Sequence, residues 1–536
     1  HRLLADSYAG LPRHQIARVS ELLQSQLLQP INLTPLQPEL AEADLLLYEG
    51  LGPSDPSLLE FNPLFTRNRL ALQGSGVIGG NDTFGNNLIQ SGVHNTWSYS
   101  IGQYHYESDG FRDNNDQEQN IYNLFVQNAV SFQTSIQAEG GIADIDEGDL
   151  PLRFDPDDFS DTQRRDLDTD TYRLGLHHVF NPRSELVGSV IWTDRSEDFD
   201  DPGVGAEIHV DTDGYVAEIQ HLLRYRWLQL TSGAGRFDGN EKETLKLDFG
   251  PPFGTEESRE KYDLDHDNLY VYSQADIARG ITLTAGVSYD DYSDNLVETD
   301  QWNPKVGALW DITPATTLRA AAFRVVTRTV VSEQTIEPTQ VAGFNQFYDD
   351  PEGSDSKRYG IALDHRFSRQ LFSGVEYSKR DIEAPFLLLL PPPAPAQVDD
   401  ADSEEKLARA YLYWTPSLSV ALSAEYQYED IDRDEDYPPD LVTGTPFTEL
   451  KTHRLPLGVK VHRPSGWFAG MKATYVDQEG TFLDPFFVPA DDDDKFWIVD
   501  AGLGYRLPKR RGFLSAGIKN LLDESFKFQD TNPVSP

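Results

Sequence analysis

The feature that most constrains this chain is a two-residue beat. From about residue 69 to the end, apolar and polar residues alternate within segments of about ten residues, and short turns join the segments in pairs. The turns read His94-Asn95-Thr96, Asn181-Pro182-Arg183-Ser184, Ala278-Arg279-Gly280, Thr313-Pro314-Ala315-Thr316, Ser368-Arg369-Gln370, Thr415-Pro416-Ser417, Arg463-Pro464-Ser465-Gly466 and Pro508-Lys509-Arg510-Arg511-Gly512. Two more are expected near 129–132 and at Trp227-Leu228. Between the pairs lie longer acidic stretches. Side chains alternate faces along a strand, so the beat describes antiparallel strands with one apolar and one polar face. Short turns on one rim and long loops on the other predict an all-β fold, a transmembrane antiparallel up-and-down β-barrel.

Leu283, Ala285, Val287 and Tyr289 alternate with Thr282, Thr284, Gly286 and Ser288, and Leu422, Ala424, Tyr426 and Tyr428 with Ser423, Glu425, Gln427 and Glu429. A soluble sheet with one wet face would show the same pattern. Three features favour the barrel. The beat persists for about ten hairpins, more than an open twisted sheet usually holds without closing or splitting. All eight Trp lie within or beside the segments, as aromatic girdles require. Glu425, Lys472 and Lys519 place charge in mid-segment on the polar face, which suits a water-filled lumen.

Composition agrees. With no Cys, a disulfide scaffold, a thiolate metal site and a cysteine nucleophile are excluded. No run of about eighteen apolar residues predicts a transmembrane helix. A mean hydropathy of -0.50 fits strands that are apolar on one face only. The chain has no initiator Met and no signal peptide, so it reads as a mature or trimmed fragment. Net charge is -43, with the acids in what read as external loops at 144–170, 194–201, 399–405, 429–440 and Asp491–Asp494. Arg183, Arg279, Arg369, Arg463 and Lys509–Arg511 sit in the short turns, which are therefore placed in the periplasm. The summed field of such a rim repels polyanions, so nucleic acid is excluded as a partner; outer-membrane lipid is the expected one.

The segments number about twenty-one, and single-chain bacterial barrels have even counts. The expectation is about 22 strands (range 18–22), the closing strand being absent from this chain. The barrel is assigned to 66–536. Residues 1–29 carry Leu4, Tyr8, Ile16, Val19, Leu22, Leu23 and Leu27 near helical spacing, broken at Leu11-Pro12, and read as a helical hairpin. Residues 30–65, rich in Pro and Leu, read as a linker or a partial plug inside the lumen; a barrel this wide needs one.

Gly517-Ile518-Lys519-Asn520-Leu521-Leu522-Asp523-Glu524-Ser525-Phe526 resembles the C-terminal signature of TonB-dependent receptor barrels. The resemblance departs at the front. Those receptors carry a plug of well over a hundred residues, whereas about 65 residues precede the first segment here, with no visible TonB box. Ala5, Tyr8, Ala17 and Pro30 occupy signature positions of a tetratricopeptide repeat, and the stretch from His1 to Gly110 is similar to outer-membrane proteins that join periplasmic repeats to a receptor-like barrel. That class includes exopolysaccharide export porins, so the resemblance implies export and a periplasmic scaffold as partner.

Several motifs fail as sites. Gly74-Ser75-Gly76-Val77-Ile78-Gly79 matches a dinucleotide fingerprint, but a loop follows where a helix is needed. Asp166-x-Asp168-x-Asp170 and Asp263-x-Asp265-x-Asp267 open like calcium loops but lack the glycine and the bidentate glutamate. His177 and His178 adjoin on a strand and point to opposite faces. Asp491, Asp492, Asp493 and Asp494 are candidates for loose divalent-cation binding, and no other cofactor is expected. Phe386, Leu387, Leu388, Leu389 and Leu390, followed by prolines, read as an apolar external loop that folds into the lumen or docks on a partner. No catalytic constellation is visible and the protein is not expected to be an enzyme.

The leading functional expectation is an outer-membrane conduit for export of a polymer or other extended substrate, its acidic residues favouring cationic or neutral cargo. The alternatives are an uptake receptor of the TonB-dependent type and a surface anchor for an extracellular partner.

Overall fold

The computed structural model describes residues 23–32, 36, 68–248, 254–294, 297–328, 334–347, 350–388, 397–434, 447–483 and 488–531. The strands are β1 (Arg69–Ile78), β2 (Phe84–His94), β3 (Trp97–Ser108), β4 (Gln117–Ala129), β5 (Thr134–Glu147), β6 (Arg164–Asn181), β7 (Ser184–Asp201), β8 (Ala206–Arg224), β9 (Leu228–Asp248), β10 (Thr255–Ala278), β11 (Ile281–Ser293), β12 (Glu298–Thr313), β13 (Thr316–Val326), β14 (Gln340–Val341), β15 (Phe344–Asn345), β16 (Asp355–Arg366), β17 (Leu371–Leu388), β18 (Gln397–Ser417), β19 (Val420–Arg433), β20 (Phe447–His462), β21 (Trp467–Leu483), β22 (Pro489–Arg506) and β23 (Phe513–Ile518). Twenty-one of them form one antiparallel sheet in which each pairs with its chain neighbours, β13 pairing on to β16. β14 and β15 pair only with each other.

An odd strand number makes β1 and β23 run the same way, and no ladder joins them among the described residues. After β23 the chain turns at Asn520–Asp523, both of which have positive φ, and climbs along β22. There Phe526 stacks on Phe496 at 4.5 Å, and the Gln529 amide N–H donates to Gln478 at 2.6 Å.

The polarity of the sheet is that of a lipid-facing barrel. On β4, Ile121, Asn123, Phe125 and Gln127 are buried, while the intervening Tyr122 and Leu124 are about half exposed. Large apolar side chains such as Leu174, Ile219, Leu269, Val306, Ile361 and Leu412 stand on the outside, and Gln, Asn, Ser and charged groups line the inside.

The tryptophans mark the membrane. All eight are exposed. Trp97, Trp227, Trp310, Trp414 and Trp467 lie beside the short turns, the periplasmic row. Trp192 is the ninth residue of β7, and the cross-strand partners of Trp302 and Trp497, Tyr289 and Tyr475, are the ninth residues of β11 and β21. With a rise of about 3.3 Å per residue and a tilt of about 40°, the rows stand about 20 Å apart, close to the height of an outer-membrane apolar band. The upper row sits in mid-strand because the strands do not stop at the lipid: β10 is 24 residues long.

This overshoot corrects the sequence reading of the acidic loops. Asp144 and Asp146 belong to β5, Asp166, Asp168 and Asp170 to β6, Asp194, Asp198 and Asp200 to β7, and Asp263, Asp265 and Asp267 to β10. Above the lipid both faces of a strand are wet, so no apolar alternation betrays it.

Candidate functional site: the covered inner wall

Two segments lie against the inside of the barrel. The first comprises residues 23–32, helical over 23–27. It crosses the strands along one side of the wall. Gln24 Nε2 donates to Gln220 Oε1 on β8 at 2.8 Å, and Gln26 Nε2 to Glu139 on β5 at 3.1 Å. On β4, Gln127 accepts from the Asn32 amide at 2.6 Å and donates to the Gln29 carbonyl at 2.7 Å. Ser100 on β3 donates to the carbonyl of Leu36 at 3.3 Å. Gly175 on β6 makes the seat: a Cβ there would come within 2.5 Å of Leu27 Cδ2 and 2.7 Å of Gln137. Residues 1–22, which carry most of the expected helical hairpin, and most of 30–65 lie outside the described residues.

The second segment is a strap, residues 334–347, from the connection between β13 and β16. Its tip is the β14–β15 hairpin, turned by Ala342 (φ 51°) and Gly343 (φ 84°); two successive positive-φ residues make the two-residue hairpin turn. The wall is notched to receive it. Val341, Ala342 and Phe344 pack with Ala321, Phe323 and Ala362, and Gly307 and Gly360 lack the side chains that would collide with Ala342 and Phe344.

Behind the strap the wall is charged and fully buried. Lys305 Nζ on β12 donates to Tyr272 at 2.6 Å and to Gln346 at 2.7 Å, and lies 3.3 Å from Glu337. Glu337 also accepts from Tyr272 at 2.6 Å and Asn268 at 2.9 Å, and pairs with Arg328 at 3.0 Å. Glu218 on β8 accepts from the Thr335 hydroxyl at 2.5 Å and the Ile336 amide at 2.9 Å. A buried charge is tolerable only when its partners are all present, so these groups hold the strap in one register.

The connection 148–163, which follows β5, also turns inward. Asp149 is wholly buried and organises it, accepting from Arg153 at 2.5 Å, from the Ser160 amide at 2.7 Å and from Arg112 at 3.2 Å. Burial lowers the Arg112 pKa, and the Asp149 charge opposes that shift. Phe154 reaches Ile431, Phe447, Leu450 and Phe482 on β19–β21, stacking on Phe482 at 4.5 Å. A connection leaving β5 that packs on β19–β21 shows the sheet curling round on itself.

The candidates read from the sequence fall elsewhere. Asp491–Asp494 lie on β22, not in a loop, and neighbours on a strand point to opposite faces. Asp491 accepts from Thr481 at 2.7 Å and Asp492 pairs with Lys527 at 2.8 Å, while the Asp494 carboxylate accepts from the Lys527 amide at 2.6 Å. Among the described residues no group of His, Asp or Glu is placed to hold a metal. Phe386, Leu387 and Leu388 continue the β17 ladder opposite Asp399, Val398 and Gln397, so prolines further on do not break it there; Leu389 and Leu390 lie outside the described residues. His177 Nε2 donates to the Glu185 carboxylate at 3.0 Å, and His178 Nδ1 shares a hydrogen bond with the Thr134 hydroxyl at 2.9 Å, on opposite faces.

A family model described as "TonB dependent receptor-like, beta-barrel" matches residues 96–381, just over half of the chain. The chain belongs to this family. The receptor-like barrel, its outward apolar face and its two aromatic rows place it in the outer membrane. Its fold is shared with solved structures at low identity. The ferripyoverdine receptor of the outer membrane of Pseudomonas aeruginosa, bound to ferripyoverdine, has a TM-score of 0.64 at 12% identity, over 87% of this chain and 69% of that one. The copper transporter OprC gives 0.65 at 12%, over 87% and 79%. The FrpB iron transporter from Neisseria meningitidis gives 0.64 at 11%, over 88% and 79%. No curated protein sequence matches the chain.

Proposed function

We propose that this receptor-like barrel is a gated uptake receptor that admits a small metal-carrying ligand once the covering segments of its lumen move. The carrying observation is the family match joined to an inner wall covered from within by residues 23–32 and the strap. Ferripyoverdine, copper and iron, named for the solved relatives, support the cargo class. Charge on the wall is arranged in pairs. Luminal arginines are matched by carboxylates: Arg319 with Asp364 and Glu376 at 2.8 and 2.9 Å, and Arg409 with Glu425 at 2.8 Å. The export reading rests on the likeness of the stretch from His1 to Gly110 to repeat-linked outer-membrane proteins, and the family match favours uptake instead.

Cells with and without the protein, given a ferric hydroxamate, a ferric catecholate and Cu2+ in turn, test the proposal. Protein-dependent accumulation of one of them, with a near-baseline current through the purified protein in planar bilayers, is expected. A large standing conductance without accumulation of any of the three would point to a conduit, and neither signal to an anchor.

A further inference from the structure

The strap and the N-terminal segment enter the barrel from different parts of the chain, yet they meet. Leu23 and Leu27 share one apolar cluster with Ile336 of the strap and with Val187, Ile191, Phe237 and Leu264 of the wall. Two polar relays run beside that contact. Gln220, fully buried on β8, accepts from Gln24 at 2.8 Å and donates to the Ile336 carbonyl and to Tyr270, so one side chain ties segment, strap and wall. Glu139 accepts from Gln26 and pairs with Arg173, whose other nitrogen donates to Gln334 of the strap at 2.7 Å.

From this we infer that residues 23–28 are a latch for the strap: their withdrawal frees residues 334–337, and release of the strap in turn loosens the segment. Ile336 without Leu23 and Leu27 loses part of its apolar cover. Gln220 bonds to both segments directly, while Arg173 bonds to Gln334 of the strap and reaches Gln26 through Glu139, and a buried donor or acceptor left unpaired costs more than the bond itself contributes. Coupling of this kind is reciprocal by linkage, whichever end is disturbed first. The inference concerns how two inserts hold each other and does not depend on the nature or direction of the cargo.

Hydrogen exchange of the full chain in detergent micelles, read by mass spectrometry, tests it. Four proteins are compared: wild type, Leu27→Asp, Gly175→Leu and Ile336→Ser. The first two variants evict the segment by charge and by filling its seat. The third removes the shared apolar contact from the strap side. In Leu27→Asp and Gly175→Leu, exchange is expected to rise roughly tenfold or more in peptides covering 334–347 as well as in those covering 23–32, with β20–β22 unchanged. In Ile336→Ser, peptides covering 23–32 are expected to exchange faster. If 23–32 exchanges freely while 334–347 stays as protected as in the wild type, there is no latch. If both eviction variants leave 23–32 protected, the packing that the latch requires is absent and the inference falls equally.

Discussion

Phe344 of the strap lies in the space that a side chain at Gly360 would fill. The barrel wall is thus cut to the shape of its own insert, at a position where most residues would serve a strand better than glycine does. Refilling that notch is the cleanest way to undock the hairpin while leaving the strands paired. Gly360→Leu is expected to free the strap, seen as protease cleavage within 334–347 and as added conductance in bilayers, with the heat-modifiable gel shift of the folded barrel retained. Phe344→Ala attacks the same contact from the other side and should cost about 3–5 kcal/mol of local stability, the usual range for emptying a buried phenylalanine site.

Lys305 and Glu337 are a test of how the buried charges act. Removing Glu337 leaves Lys305 and Arg328 in a buried wall without their shared carboxylate, a loss of about 3–5 kcal/mol by analogy with other buried pairs, whereas removing Lys305 leaves Glu337 paired with Arg328 and should cost less. Lys305→Met combined with Glu337→Gln should lose clearly less than the sum of the two single changes. A double-mutant cycle read by strap protection would show this coupling; strict additivity would mean that the pair does not act as a unit.

The two tryptophan rows predict a depth profile. In liposomes carrying brominated lipids, bromines near the headgroup should quench the intrinsic fluorescence more than bromines near the chain ends, because five tryptophans lie at one interface and three at the other. Stronger quenching from the bilayer centre would contradict the belt assignment.

Exposed Leu70, Leu72, Ile78, Leu174, Leu269 and Leu412 leave an apolar outer face far larger than a soluble protein keeps in water. Dilution out of detergent should precipitate the protein, and ultracentrifugation will report it. A soluble folded monomer in plain buffer would overturn the membrane assignment.

Much of this fold was legible in the chain because lipid imposes a strict two-residue rule. Leu283 to Tyr289 and Leu422 to Tyr428 show it, and the short turns fall where expected, except that the one read at Thr415-Pro416-Ser417 lies at Leu418-Ser419, β18 running on to Ser417. The upper strand halves were not legible. Thr255–Lys261 of β10 meets water on both faces, so its charges look like those of a loop. The inserts were harder still. Leu23 and Leu27 stood out at helical spacing, but nothing in a sequence says that Leu27 faces Gly175 on β6, or that Glu337 ends beside Lys305. Lys305 carried a faint signal, a cation on the polar side of a strand, of the kind also seen at Lys472. Distance along the chain hides such pairs, because only the folded wall brings them side by side.

The overshooting strands decide where the charge of this molecule acts. Above the upper aromatic row Asp144 faces Asp168, Asp146 faces Asp166 and Asp170 faces Asp194 across adjacent strands. These carboxylates share the outward side of Ile142, Tyr172 and Trp192. The protein therefore wears part of its surplus of anions as a collar turned toward its surroundings. Small ions of the medium, more than whatever travels within, answer to that field. Added salt should firm the collar and leave passage untouched.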